Sequence, residues 1–341
     1  MFASSAQNPF VSIIIPVKNG GATIDACLRA MKHSHYKNLE VIVVDDHSTD
    51  NTADIVRYHG CTLLQATEGY GANHARNDGA RYAKGEILIF IDADIMVRKD
   101  TISITVERLE EDWIDAVVGL YTARHRHENF VSQYKNLWVR YSYLKSPATI
   151  DWLFGAISGI RREVFQKIGG FNVGLVNQQG IEDIELGKRF SQANMRVVLD
   201  IDIEVEHLKN YTLRSFIVNE FTRSMGFADL ATRLGETVSS VGRGFANVYP
   251  MFVLSTVFSL VLLGVIAASV VGTVPAWSVA AAVGLYLAMN IRFLNYLEQV
   301  RGLFAMIVMI PILLLDHVVC FAGSIAGVLK GLFGKKNTEM M

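Results

Sequence analysis

Apolar runs and polar breaks alternate through the first 210 residues. Val11-Ser12-Ile13-Ile14-Ile15-Pro16-Val17 is an almost unbroken apolar run, the pattern of a strand covered on both faces in a parallel sheet. Ile24, Cys27, Leu28 and Met31 follow, spaced as one stripe of an amphipathic helix. Leu39 to Val44 predicts a second strand and runs into Asp45-Asp46-His47-Ser48-Thr49-Asp50. A short helix (Thr52 to Tyr58), a third strand (Cys61 to Gln65, with a polar turn to Glu68) and a helix from Asn73 to Ala83 come next. Small residues in that helix (Ala75, Gly79, Ala80, Ala83) allow close approach to a sheet. Ile87 to Ile91 is a fourth buried strand. Such alternation with short connections predicts right-handed crossovers and a mostly parallel central sheet, an α/β fold. From Asp115 the order changes. Ala116 to Leu120 reads as a fifth strand, and Asn129 to Leu144 as a helix rich in aromatics. A helix from Arg161 to Ile168 is stopped by Gly169-Gly170, another starts near Gly180, and a strand ends in Val205-Glu206-His207.

Beyond residue 210 the pattern is different in kind. Residues 211–245 form a linker in which Phe216, Ile217, Phe221, Met225 and Leu230 alternate with Arg214, Arg223 and Arg233. This suits an amphipathic helix lying at a membrane interface, or equally one packed on the domain before it. Ala246 to Ile291 contains no charged residue. Within a transmembrane region of residues 246–334, Met251 to Val274 is long enough to span a bilayer, which needs roughly 20 apolar residues. Pro275 marks a turn, and Ala276 to Ile291 returns, lengthened by a snorkelling Arg292. A third apolar segment, Leu303 to Leu329, is interrupted by Pro311 and by Asp316-His317, which offer places for a break. Residues 335–341 are a short tail. The turn carries no charge while Arg243 and Arg292 flank the pair, so the positive-inside rule puts the first domain, residues 1–210, on the cytoplasmic side of a multi-pass inner membrane protein. Met1 to Pro9 lacks the basic segment and apolar core of a signal peptide, which agrees with that orientation.

Composition narrows the classes. A net charge of −1 gives no basic face for a nucleic acid polymer. Cys27, Cys61 and Cys320 are too few and too far apart for a disulfide framework or a cysteine metal site. A dinucleotide-binding oxidoreductase would carry Gly-x-Gly-x-x-Gly after the first strand; Pro16-Val17-Lys18-Asn19-Gly20-Gly21 stands there instead.

Chemistry gathers at strand ends. The fourth strand closes in Asp92-Ala93-Asp94. Ligands of open α/β sheets bind outside the carboxyl ends of the strands, and side chains two apart in an extended segment point the same way. Two hard oxygen ligands in that place suit Mg²⁺ or Mn²⁺ holding a diphosphate. A solvated turn is the plainer reading. Arg124-His125-Arg126-His127-Glu128 could present His-x-His to a metal but reads more simply as a solvated loop. Phe154-Gly155-Ala156-Ile157-Ser158-Gly159 has small residues that let a backbone approach a ligand. Glu182 and Asp183 crowd a helix start, where capping and the macrodipole favour acids.

Four of these pieces in this order resemble the nucleotide-binding half of family 2 glycosyltransferases with the GT-A fold: Val-Ser-Ile-Ile-Ile-Pro-Val-Lys-Asn, Val-Val-Asp-Asp-His-Ser-Thr-Asp, Gly71-Ala-Asn-His-Ala-Arg-Asn-Asp-Gly79 and Phe-Ile-Asp-Ala-Asp. The similarity runs from about Val11 to about His207. It implies that Asp46, alone or with Asp45, reads the uracil edge of a UDP-sugar, since a carboxylate can accept the imide N–H that cytosine lacks. Pro16, Val17 and Lys18 would line that pocket, with Asp92 and Ala93 toward the donor. Arg76 would lie near the base or diphosphate; otherwise it is a helix-surface arginine. Asp92, Asp94 and His207 would hold the metal, although a lone histidine is more often structural. Gly155, Ser158 and Gly159 would border the acceptor. Asp183 would act as general base, assisted by Glu182.

The resemblance therefore implies an inverting, metal-dependent hexosyltransferase. It would move one sugar from a nucleotide-sugar to a hydroxyl of a lipid or lipid-linked acceptor in cell-envelope, glycolipid or polysaccharide synthesis. Processive synthases of the family carry Gln-x-x-Arg-Trp before their membrane helices; Asn219-Glu220-Phe221-Thr222-Arg223-Ser224 lacks the glutamine and tryptophan. A polyprenyl-phosphate sugar synthase is the alternative, and the intact Glu182-Asp183 pair speaks against it. A non-catalytic membrane protein keeping the fold for binding would be expected to lose carboxylates, yet Asp46, Asp92, Asp94 and Asp183 all stand.

Overall fold

The structure, a computed structural model, describes residues 8–67, 71–175, 181–233, 235 and 249–333. Glu68, Gly180, Arg243 and the tail of residues 335–341 lie outside them. The chain divides into two compact units, Met1–Arg126 with Ser146–Lys209, and His127–Lys145 with Asn210–Met341.

The first unit is an α/β domain. Strands β1 (Val11–Val17), β2 (Leu39–Asp45), β3 (Thr62–Gln65) and β4 (Ile87–Ile91) alternate with helices α1 (Ile24–Lys32), α2 (Thr52–Tyr58) and α3 (Ala72–Tyr82). They lie side by side in the order β3-β2-β1-β4, all parallel. Every residue of β1 is buried, as its apolar run requires. Helix α3 sits close on the sheet because Gly79 has no side chain: a Cβ there would collide with Ile14.

After β4 come β5 (Ile95–Val97), α4 (Thr101–Leu109) and β6 (Ala116–Tyr121). The chain returns from α5 (Phe130–Leu144) with β7 (Thr149–Ile150), β8 (Ile157–Arg161), α6 (Arg162–Ile168), α7 (Ile181–Gln192) and β9 (Val197–His207). The full order is β3-β2-β1-β4-β8-β6-β9-β5, with β7 also on β9. The sheet is mostly parallel. β8 is antiparallel to both of its neighbours, β4 and β6, while β9 runs parallel to β6. Three-residue β5 is too short to register as a strand in the sequence, so the strand expected fifth is in fact β6. β5 is nonetheless decisive, because its antiparallel pairing sets Ile95 opposite His207.

The second unit comprises α5, α8 (Leu213–Arg233), α9 (Pro250–Val270), α10 (Ala276–Met289), α11 (Ile291–Arg301) and α12 (Leu303–Phe333). Residues 1–210 do not form a single unit, since α5 groups with the later helices. The cause is its aromatic face. Trp138 stacks on Phe252 at 4.8 Å and meets Phe293 edge-on at 5.0 Å, and Tyr134 meets Phe216 edge-on at 5.9 Å.

Two of the three arginines expected on the basic face of α8 are paired within the helix. Arg223 pairs with Glu220 at 3.5 Å and Arg233 with Asp229 at 2.6 Å. The helix lies along α12, where Gly323 and Gly327 let the backbones close up: an added Cβ would collide with the carbonyls of Phe221 and Met225. That is the small-residue packing used between helices in membranes.

The third apolar segment corrects the expectation of a break. α12 is one continuous helix of 31 residues with Pro311 inside it. Asp316 and His317 are accommodated by phenols: Tyr134 Oη donates to Asp316 at 2.7 Å, and Tyr286 Oη pairs with His317 Nδ1 at 2.7 Å. The interruption falls instead at Asn290, where α10 and α11 meet at 70°. At that break the Asn290 side chain donates to the Tyr286 carbonyl at 2.9 Å. Among the described residues, two helices, α9 and α12, are thus long and apolar enough to cross a membrane, or three if the bent pair is one span.

Candidate active site

The carboxyl ends of β1, β2 and β4 form one edge of the first unit, and the expected site residues collect there. Val17 ends β1 opposite Asp45 at the end of β2, and the Asp46 amide donates to the Val17 carbonyl at 2.8 Å. His47 then takes a left-handed backbone (φ +59°) that turns the chain away from the sheet. The two aspartates have separate duties. Asp45 accepts from the Ser48 amide at 2.9 Å and from Gln65 Nε2 at 3.1 Å, so it closes the turn. Asp46 Oδ2 accepts from the Gly71 amide at 2.9 Å and from Lys18 Nζ at 3.3 Å. It therefore ties the β1 turn to the start of α3, beside Pro16 and Val17.

Four charged groups converge around Gly155. Arg76, on α3, is 3% exposed and is not a surface residue. Its guanidinium donates to Asp92 at 2.9 Å and to Glu182 at 3.4 Å. Asp183, in the first turn of α7, turns its carboxylate to the Gly155 amide at 2.8 Å. A Cβ on Gly155 would stand 2.8 Å from Asp183 Oδ2, 3.2 Å from Arg76 Nη2 and 3.3 Å from Asp92 Oδ2. Only glycine leaves that space open. Burial pushes the Asp183 carboxyl up to about 7, with Glu182 and Asp92 adding to the rise and Arg76 opposing it. Burial and the neighbouring Asp94 likewise raise Asp92, again against Arg76. A carboxyl near 7 is poised to accept a proton at neutral pH.

The metal-site expectation divides in two. Because β5 pairs with the end of β9, the Leu208 amide donates to the Asp94 carbonyl at 2.8 Å and His207 Nε2 stands 3.3 Å from Asp94 Oδ2. Two atoms bound to one octahedral ion at neighbouring positions, with bonds of roughly 2.1 Å, lie about 3.0 Å apart. The Asp94–His207 donor pair fits a divalent cation in both chemistry and spacing. Burial pushes the Asp94 carboxyl up, but His207 and Lys209 outweigh it and leave it below its ordinary value, hence ionised. Asp92, by contrast, gives one oxygen to Arg76.

Two residues around His207 escaped the sequence reading. Tyr121 stacks flat on its ring at 4.7 Å, and His125 approaches edge-on at 6.4 Å. The stretch 124–128 is a loop with Arg124, Arg126 and Glu128 exposed, as expected, but His125 departs from that reading at 7% exposure; Arg126 pairs with Glu206 at 2.9 Å. The Tyr-x-x-x-His spacing after a strand was the available signal, but only the fold brings it to His207. Ser158 and Gly159 are not brought to the cluster. They are paired within β8 to Phe90 and Ile89, and the missing side chain of Gly159 makes room for Thr105 and Leu109 of α4.

Residues 12–169 match the model of glycosyl transferase family 2, and residues 135–211 that of the N-terminal domain of galactosyltransferase. Glycosyltransferase AglE of Haloferax volcanii is 29% identical over 211 residues, 57% of this chain and 66% of that protein. The 4,4'-diaponeurosporenoate glycosyltransferase of Staphylococcus aureus is 26% identical over 202 residues, 55% of this chain and 53% of that one. The matched region thus spans between about half and two-thirds of these relatives. Among solved structures, a mannosyltransferase from Pyrobaculum calidifontis in complex with GDP-Man and Mn²⁺ has the same fold, with a TM-score of 0.63 at 24% identity over 89% of this chain and 87% of that one.

Proposed function

We propose that this chain, whose residues 12–169 match the model of glycosyl transferase family 2, is a membrane-anchored, inverting and metal-dependent glycosyltransferase that moves one sugar from a nucleotide-sugar to a hydroxyl of a lipid or lipid-linked acceptor. The observation that carries the reading is the meeting of Arg76, Asp92, Asp183 and the Gly155 amide beside the Asp94–His207 pair. Asp46 and Lys18 bind the base, with a UDP-sugar as the first donor. A GDP-sugar is the second, because the Pyrobaculum neighbour holds GDP-Man. A carboxylate can accept from the ring N–H of uracil or of guanine, so pocket width must decide between them.

A divalent cation held by Asp94 and His207 would neutralise charge on the departing diphosphate. The acceptor oxygen attacks the anomeric carbon from the face opposite the diphosphate. The new glycosidic C–O bond forms as the bond to the leaving phosphate oxygen breaks. The hydroxyl proton passes to Asp183, and the nucleoside diphosphate leaves with the bonding electrons. Arg76 holds Asp92 in place and offsets the charge of the three carboxylates around it.

The apolar helices α9 and α12 support membrane anchoring. The uncharged turn between α9 and α10, with Arg292 beyond it, supports a cytoplasmic catalytic unit at an inner membrane. A lipid acceptor accords with that anchoring and with the 4,4'-diaponeurosporenoate relative. The test is purified protein in detergent with membrane lipid extract, Mn²⁺ and a panel of UDP- and GDP-sugars, scored for nucleoside diphosphate release and for label in the lipid fraction. Metal-dependent release with labelled lipid is the expected result. Release from no donor rejects the enzymatic reading, and label confined to water-soluble products rejects the lipid acceptor.

A further inference from the structure

The loop after α6, Gly169 to Asn172, is held by side chains from two helices that otherwise serve opposite sides of the site. From α3, Asn77 makes a closed pair with Phe171: its Nδ2 donates to the Phe171 carbonyl at 2.8 Å and its Oδ1 accepts from the Phe171 amide at 2.9 Å. One turn earlier, Asn73 Nδ2 donates to the Asn172 carbonyl at 2.8 Å. From α7, Arg189 donates to the Ile168 and Gly170 carbonyls, each at 2.7 Å, and is itself oriented by Glu185 at 2.8 and 2.9 Å. Gly169 and Gly170 are both left-handed (φ +84° and +72°), and a Cβ on Gly170 would stand 2.7 Å from Asn77 Oδ1. These grips fix Phe171 so that its ring lies 5.2 Å under the Arg76 guanidinium and edge-on to Phe90, at 5.2 Å, two residues before Asp92.

We infer that Asn77 and Arg189 are positioning residues, which make the loop a strut between the donor-side helix α3 and the helix α7 that carries Asp183. Neither touches the reacting groups. Asn77 acts through Phe171 on Arg76, and Arg189 acts through the same loop on α7. The strut sets the distance between the Arg76–Asp92 pair, where the leaving group sits, and the Asp183 carboxylate, where the acceptor hydroxyl sits. The inference rests on the proposed transferase reading for its kinetic consequence, but not for the mechanical link itself.

The experiment uses the full chain in detergent, as wild type, Asn77→Ala and Arg189→Lys. Lysine keeps the charge of Arg189 but cannot span two carbonyls with a planar fork. Hydrogen exchange by mass spectrometry reads the link without any substrate. Faster exchange in Asn77→Ala both at residues 170–173 and in the first turn of α7 is expected, although among the described residues the Asn77 side chain hydrogen-bonds to Phe171 and not to α7. Exchange confined to residues 170–173 overturns the strut, whether or not the protein proves to be a transferase. With an active donor, affinity for the nucleoside diphosphate should stay within about threefold of wild type, while kcat for transfer falls about ten- to a hundredfold, the scale of a misplacement near 1 Å. Hydrolysis of the donor by water should rise as a share of turnover, because water needs no alignment by the strut. A variant with wild-type kcat and an unchanged share of hydrolysis overturns the positioning role. So does one whose nucleotide affinity falls in step with kcat, since that marks general loosening of the fold.

Discussion

Replacing Asp183 by asparagine exchanges a carboxylate oxygen for an amide nitrogen and leaves shape almost untouched. The Gly155 amide can still donate to the remaining side-chain oxygen across the 2.8 Å contact, so the loop before β8 should hold its place. What is lost is the proton acceptor. General-base assistance is worth roughly 10²–10⁴ in rate, and kcat should fall by that range while affinity for donor and metal stays within a few fold. The pH dependence separates this from a structural defect. With the Asp183 carboxyl raised to about 7, kcat/KM of the wild type should rise about tenfold per pH unit below 7 and level off above it, whereas the residual activity of the variant should lack that limb. Stability moves the other way. The folded-state value lies above the ordinary 3.8, so the folded chain binds the proton more tightly than the unfolded one, and this group's contribution falls as pH rises from about 4 to 7. Asparagine removes that penalty, and at pH 8 its Tm should equal or exceed that of the wild type. Steady-state kinetics from pH 5.5 to 8.5 and thermal melts on both proteins make the test. An active asparagine variant with the wild-type pH profile would refute the base assignment.

Other perturbations give equally definite outcomes. Tyr121→Leu, which removes the ring stacked on His207, should raise the Mn²⁺ concentration for half-maximal activity about tenfold, the lower end for losing support of a metal ligand, while saturating Mn²⁺ restores the rate. Glu220→Gln strands the buried Lys135, now 2.5 Å from the carboxylate, and should destabilise the protein in detergent by roughly 3–5 kcal/mol; adding Lys135→Met should recover most of the loss, and no recovery would show that the pair is not the cause. Gly327→Leu should part α8 from α12 and lower the detergent Tm, whereas Ile325→Leu on the exposed side of α12 should be neutral.

Sequence carried the site further than it carried the architecture of the helical unit. β1 and β4 were legible because strands covered on both faces need continuous apolar runs, and Asp46, Asp92, Asp94 and Asp183 because carboxylates at strand and helix ends are conspicuous. The partnership of Asp94 with His207 was legible only as a resemblance; physically it depends on β5, three residues whose strand character comes entirely from pairing with β9. Arg76 looked ambiguous because a helix pattern does not say which charges face it. The raised carboxyl of Asp183 comes from burial, with Glu182 and Asp92 adding to it against Arg76 and the Gly155 amide, and of these residues only Glu182 is local. In the second unit, Pro311 and Asp316-His317 are the conspicuous interruptions, yet Tyr134 and Tyr286 absorb the polar pair and the helix runs on. Asn290, where α10 ends, carries no signal until its side chain is seen on the Tyr286 carbonyl.

The central claim is that the Asp94–His207 pair holds a divalent cation that nucleotide-sugar binding requires. Isothermal titration of UDP and of GDP into the detergent-solubilised protein, with Mn²⁺ and then with excess EDTA, tests it directly, alongside Asp94→Ala. One of the two nucleotides should bind at a single site with Mn²⁺, and that binding should weaken at least tenfold both in chelator and in the alanine variant. Equal binding with and without the metal, or an Asp94→Ala protein that binds as wild type does, would contradict it.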